Sequence, residues 1–88
     1  MQERIKVLFH TPGDANNFVS ICQQYKEDIN LYYGHQVIDA KSCMGVIACG
    51  CGSIFEVEIL TDDFMHRVNF LQSLEKFKYR SEWFEKYN

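Results

Sequence analysis

Three sets of side chains in this chain are of types that can do chemistry. Ser42 lies in the stretch "DAKSCMGVIACGCG", residues 39–52, where a strand-like run gives way to a helix-like one. A short polar side chain at such a switch can accept hydrogen bonds from the first unpaired N–H groups of a helix, so Ser42 is expected to cap one. The same stretch holds Cys43, Cys49 and Cys51, and thiolates this close in sequence could bind zinc or another soft metal. Their C-x-C spacing does not match the paired C-x-x-C knuckles of zinc sites, and each can equally serve as a small apolar side chain. All four cysteines, Cys22 included, are therefore expected to be reduced and free of metal. The third set is His10, His35 and His66. Imidazole can act as a nucleophile or a proton carrier near neutral pH. Here the three read as a strand end, a turn and a helix surface. No catalytic constellation emerges, so the chain is not expected to be an enzyme.

The elements that must position these residues follow from hydrophobic period. "RIKVLF" alternates Ile5, Val7 and Phe9 against Arg4 and Lys6, the signature of a half-buried strand. "TPGD" breaks the run, and Asp14 is expected to cap a helix on which Ala15, Phe18, Val19, Cys22 and Tyr25 form one apolar face. "DINLYY" and "QVIDAK" read as two strands joined by a tight turn at Gly34 and His35. A short helix through "CMGVIAC" follows Ser42, with Gly50 and Gly52 ending it. "SIFEVEILT" returns to alternation, with Phe55, Val57 and Ile59 opposite Glu56 and Glu58. From Asp62, Phe64, Val68, Leu71 and Leu74, extended by Phe77, mark a last amphipathic helix. The order β-α-β-β-α-β-α predicts an α+β open-faced sandwich, a four-stranded antiparallel sheet with helices on one face.

Eighty-eight residues at 47% hydrophobic and 15% aromatic suit one domain with a single core, so residues 1–88 are expected to form it. Residues from about 80 to 88 carry Trp83, Phe84 and Tyr87 and are expected to form a helical aromatic tail packed on the body. Nine Lys and Arg against twelve Asp and Glu give a charge of −3, which argues against nucleic acid or an anionic membrane as the main partner. "MQERIKVLFH" has no apolar signal core and no run reaches the length of a membrane span, so the expected location is cytoplasmic.

With this order in place, "INLYYGHQVIDAKSCMGVIACG" resembles the phosphocarrier HPr family of the bacterial phosphotransferase system. The family pattern after a hairpin is A/L-K-S-I-M-G-V/L/I-M/L-S/A-L-G/A. Lys41, Ser42, Met44, Gly45, Val46, Ala48 and Gly50 fit it directly, and Cys43, Cys49 and Cys51 stand at its apolar positions. The resemblance runs without gaps back through "FVSICQQYKEDI". It implies the same fold, a place in sugar transport or catabolite repression, and no cofactor. It also implies protein partners: HPr kinase, a transcriptional regulator or phosphotransferase components. By the same resemblance Ser42 is the residue that an ATP-dependent HPr kinase phosphorylates. Lys41 is then a neighbouring cation, and Met44 and Ile47 are apolar docking residues.

The family's second motif, G-L/I-H-A-R-P-A, carries the phosphoacceptor histidine and an arginine that holds the phosphate. Gapless placement puts Thr11 at that histidine, Gly13 at the arginine and Asp14 at the proline. The first helix also offers Asn16, Asn17, Ser20, Gln23 and Gln24 where HPr often shows basic groups. The resemblance therefore implies a regulatory binding module with a phosphoserine site and without phosphohistidine transfer. Two alternatives stay open: an atypical phosphocarrier using His10, one residue from the expected position, and a structural or metal-binding adaptor.

Overall fold

The alternation of Ile5, Val7 and Phe9 becomes strand β1 (Ile5–Leu8), with Val7 and Phe9 fully buried. The computed structural model describes residues 4–48 and 52–79. After β1 come α1 (Pro12–Gln23), β2 (Ile29–Tyr33), β3 (Gln36–Asp39), α2 (Cys43–Ala48), β4 (Ile54–Ile59) and α3 (Phe64–Ser73), then a single 3₁₀ turn at Glu75–Phe77. The expected order and antiparallel sheet are both present. The strands lie in the order β1-β4-β2-β3, so β4 and β2 are central. Val57 of β4 pairs with Ile5 on one side and Leu31 on the other. Tyr33 pairs with Gln36 across a two-residue turn in which Gly34 has φ +59°, a backbone that side chains with a Cβ rarely adopt.

One face of the sheet carries Val7, Leu31, Phe55 and Val57, which meet Ala15, Phe18, Val19 and Cys22 of α1, Val46 of α2 and Phe70 of α3 in one core. Burial pushes the Cys22 thiol up to about 12, with Lys41 opposing and Asp39 reinforcing the shift, so this cysteine behaves as an apolar filler. Cys49, Cys51 and the side chain of Cys43 lie outside the described residues, as does the aromatic tail from residue 80.

The other sheet face mixes Lys6, Asn30, Tyr32, Glu56 and Glu58 with the exposed Val37 and Ile54. Glu58, on the side of β4 opposite Phe55 and Val57, is only 9% exposed. Its position on a central strand explains this, because neighbours on both sides cover it. The Tyr32 hydroxyl donates to Glu58 Oε1 at 2.6 Å, and the Arg4 guanidinium lies 3.7 Å from Glu58 and 3.7 Å from the Tyr32 ring centroid. A buried carboxylate needs such partners.

Two helix boundaries differ from the sequence expectation. Helix α1 starts at Pro12 and is capped by Thr11, not Asp14, so "TPGD" opens the helix instead of ending the strand. Proline is favoured at the first helical position because the N–H it lacks has no helical partner there. In α3, Asp63 caps by accepting from the Met65 and His66 N–H groups, and the buried stripe is Phe70, Leu74 and Phe77. Phe64 was expected in that stripe and is 68% exposed. The reason is that polar residues take the body-facing side of the first turn: His66 reaches Glu27, and the Arg67 guanidinium donates to the Thr61 carbonyl.

Candidate functional site

The residues matched to the two family motifs fall into two places, the start of α1 and the start of α2, while His35 lies in the β2–β3 turn and His66 in α3. The first is the start of α1. Thr11 has extended backbone, φ −138° and ψ 159°, and its Oγ1 accepts from the Asp14 N–H at 3.1 Å. Asp14 turns back so that Oδ2 accepts from the His10 N–H at 3.2 Å. The two side chains thus satisfy donors at the helix entrance reciprocally, in the manner of a capping box. His10, Thr11, Pro12 and Gly13 are all exposed. A Cβ added at Gly13 would meet only Thr11 Oγ1, at 3.6 Å, so the position has room for a side chain. Chemically the arrangement offers a cap hydroxyl and a carboxylate at the positive end of a helix dipole.

The second place is the start of α2. Asp39 organises the turn: its Oδ1 accepts from the Lys41 N–H at 2.9 Å and its carbonyl from the Ser42 N–H at 3.0 Å. Ser42 then accepts from Gly45 N–H through Oγ at 3.3 Å and from Val46 N–H through its carbonyl at 3.0 Å, which is the expected cap. The residue is half-buried rather than fully exposed, because α2 presses close to β3. A Cβ at Gly45 would approach Ile38 Cγ2 to 3.1 Å and Ser42 Oγ to 3.3 Å, so glycine permits that approach.

Lys41 is tied inward. Its Nζ donates to the Tyr25 carbonyl at 2.6 Å, and its own carbonyl accepts from Gln23 Nε2 at 3.1 Å. These bonds set the start of α2 against the end of α1. Four residues past the end of α2, the Gly52 N–H donates to the Phe9 carbonyl at 2.9 Å, next to His10 and Thr11. The chain through α2 therefore runs from the Ser42 place back to the Thr11 place. Met44 stands 85% exposed along it, whereas the side chain of Ile47 lies outside the described residues.

Removing the Ser42 hydroxyl should cost about 0.5–2 kcal/mol, the usual range for loss of a cap. Ser42→Asp should retain most of that stability, since a carboxylate both caps and complements the dipole. Urea unfolding of Ser42→Ala and Ser42→Asp beside the wild type checks both; an aspartate variant less stable than the alanine variant would rule out the cap.

Residues 13–77 match the family profile described as "PTS HPr component phosphorylation site". The chain belongs to the HPr family. The matched segment begins at Gly13, two residues after Thr11, and spans both α2 and α3. Solved HPr structures share the fold. One is the phosphocarrier protein HPr from Bacillus anthracis str. Ames, at TM-score 0.65 and 22% identity over 90% of this chain and 96% of that one. Another is HPr-C-His from Thermoanaerobacter tengcongensis, at TM-score 0.64 and 22% identity over 84% of this chain and 89% of that one. No curated protein matches the chain in sequence.

Against the HPr motif, the structure puts Thr11 at the N-cap, the position where a side chain meets the helix-terminal N–H groups. His10 lies one residue outside the helix entrance, with its backbone N–H on Asp14. Sequence reading missed the Thr11–Asp14 cap, although Thr-Pro followed by an acid three residues after the threonine is a recognisable start signal. It also missed the Lys41 tether and the pairing of His66 with Glu27. Contacts across 16 and 39 residues leave no local signal. Among the described residues, no helix is long and apolar enough to cross a membrane, and no group of three or more His, Cys, Asp or Glu side chains could hold a metal ion.

Proposed function

We propose that this HPr-family protein is a regulatory binding module of the cytoplasm, signalled by phosphate on Ser42, and that it does not carry phosphohistidine. The observation that carries this reading is the occupied start of α1. Phosphohistidine transfer needs a neutral imidazole as nucleophile, with helix-terminal N–H groups and a guanidinium to hold the phosphate. Thr11 contributes a hydroxyl already used as a cap acceptor, Gly13 contributes no side chain, and Asp14 sets a carboxylate in the first turn. A phosphoryl group arriving there would meet like charge.

The start of α2 supports the other half. A phosphate on Ser42 would sit at a helix N-terminus, where the unpaired N–H groups and the dipole stabilise a dianion by about 0.3–1 kcal/mol. The exposed Met44 beside it gives a protein partner an adaptable apolar contact. The exposed outer residues of α1 and its C-cap (Asn16, Asn17, Ser20, Gln23 and Gln24) are uncharged, so the partner is selected by shape and hydrogen bonding more than by acidic charge.

Intact-mass measurement after incubation with HPr kinase and ATP, and separately with Enzyme I and phosphoenolpyruvate, tests the reading. The first should add about one phosphate to the wild type and none to Ser42→Ala. The second should add none. Acid-labile phosphate lost in His10→Ala would instead make the protein an atypical phosphocarrier, and no phosphate from either donor would leave an adaptor.

A further inference from the structure

The first turn of α3 is held to the loop between α1 and β2 by a cluster remote in sequence from Thr11 and Ser42. His66 Nδ1 lies 2.5 Å from Glu27 Oε2, and His66 Nε2 lies 3.9 Å from Asp63 Oδ2. Both ring nitrogens thus face carboxylates. A neutral imidazole has one N–H and one lone pair, so it can satisfy only one of them and must present its lone pair to the other. The imidazolium donates to Glu27 and sets its positive charge beside Asp63. Glu27 depends on this partner: its Oε2 also lies 3.5 Å from Thr61 Oγ1, while Oε1 is buried without a hydrogen-bond partner. The Asp63 carboxylate beside the ring also caps α3 through the Met65 and His66 N–H groups, so it ties the ring's charge to the start of that helix.

We propose that His66, clamped between Glu27 and Asp63, is a protonation-dependent latch that fixes the first turn of α3, and the exposed Phe64 and Met65 it carries, to the α1–β2 loop. The charged groups facing the ring are Glu27 from that loop, Asp63 from the start of α3 and, opposing them, Lys26. The hydrogen bond to Glu27 is the largest influence, followed by the charges of Asp63 and Glu27, and together they hold His66 above its ordinary value. The His66 hydrogen bond likewise holds Glu27 below its own. A raised histidine stabilises fully below its ordinary value of 6.5, and that contribution is lost as pH rises through the raised one. A lowered carboxylate stabilises fully above its ordinary value of 4.5, and that contribution is lost as pH falls through the lowered one. The latch is therefore complete between 4.5 and 6.5 and opens as pH rises through the raised His66 value.

A double-mutant cycle with Glu27→Gln and His66→Gln, read by urea unfolding of the full chain, tests the latch. The coupling between the two sites should be favourable at about pH 5.5 and fall to roughly half or less at about pH 8.5, since charge-assisted hydrogen bonds are about twice as strong as neutral ones. NMR titration should show the Met65 amide moving with the His66 ring. Asp63→Asn, which preserves a capping oxygen, should shift that ring titration to lower pH. Coupling that is absent or equal at the two pH values, or a Met65 amide indifferent to the ring, would overturn the proposal.

Discussion

Phe9→Ala should cost about 3–5 kcal/mol, the range for emptying a buried aromatic site. Phe9 follows β1 and is 1% exposed. Its ring centroid lies 4.9 Å from Phe18 of α1, 5.5 Å from Phe55 of β4 and 5.7 Å from Phe77 of the 3₁₀ turn. One side chain thus joins four elements from both ends of the chain. A chain of 88 residues has a total stability of roughly 4–13 kcal/mol at typical per-residue values, so the loss is about a quarter of it or more. Far-UV circular dichroism in urea should show a much lower midpoint, or a variant unfolded without denaturant. Phe9→Leu keeps much of the apolar volume and should be milder. An alanine variant within about 1 kcal/mol of wild type would mean the four rings do not form the centre of the core.

The second large effect concerns the start of α1. Enzyme I is expected to leave the wild type unmodified, whereas Thr11→His with Gly13→Arg and Asp14→Asn should carry about one phosphate on residue 11. The three changes supply the nucleophile, supply the guanidinium and remove the opposing charge. The structure accommodates them. Residues 10–13 are exposed, Gly13 has room for a Cβ, and asparagine keeps an oxygen for the His10 N–H now bound by Asp14. With Asp14 retained, the double variant should load less, because the carboxylate stands in the turn that would bind the phosphate. Intact mass with phosphoenolpyruvate and Enzyme I measures both. A triple variant that stays unphosphorylated would place the block in docking, on the uncharged outer face of α1, instead of in the transfer chemistry.

The sequence by itself determined the element order, because each element announces its own period: alternation at Ile5, Val7 and Phe9, a three-and-four step at Ala15, Phe18, Val19 and Cys22. It also determined the cap at Ser42, since capping is a local exchange between a short side chain and N–H groups three residues on. What only the tertiary structure decided is whatever depends on which element lies beside which. Glu58 looks like a surface residue in a period-two run, yet placing β4 between β1 and β2 covers it with Arg4 and Tyr32. Phe64 looks like a core residue at helical spacing, yet His66 and Arg67 turn the first helical turn the other way to reach Glu27 and Thr61. Lys41 looks like a free cation beside Ser42, yet its ammonium closes on the Tyr25 carbonyl at the end of another helix. In each case the deciding partner is distant along the chain, and a local pattern reports the face a side chain occupies without reporting what the fold brings to that face.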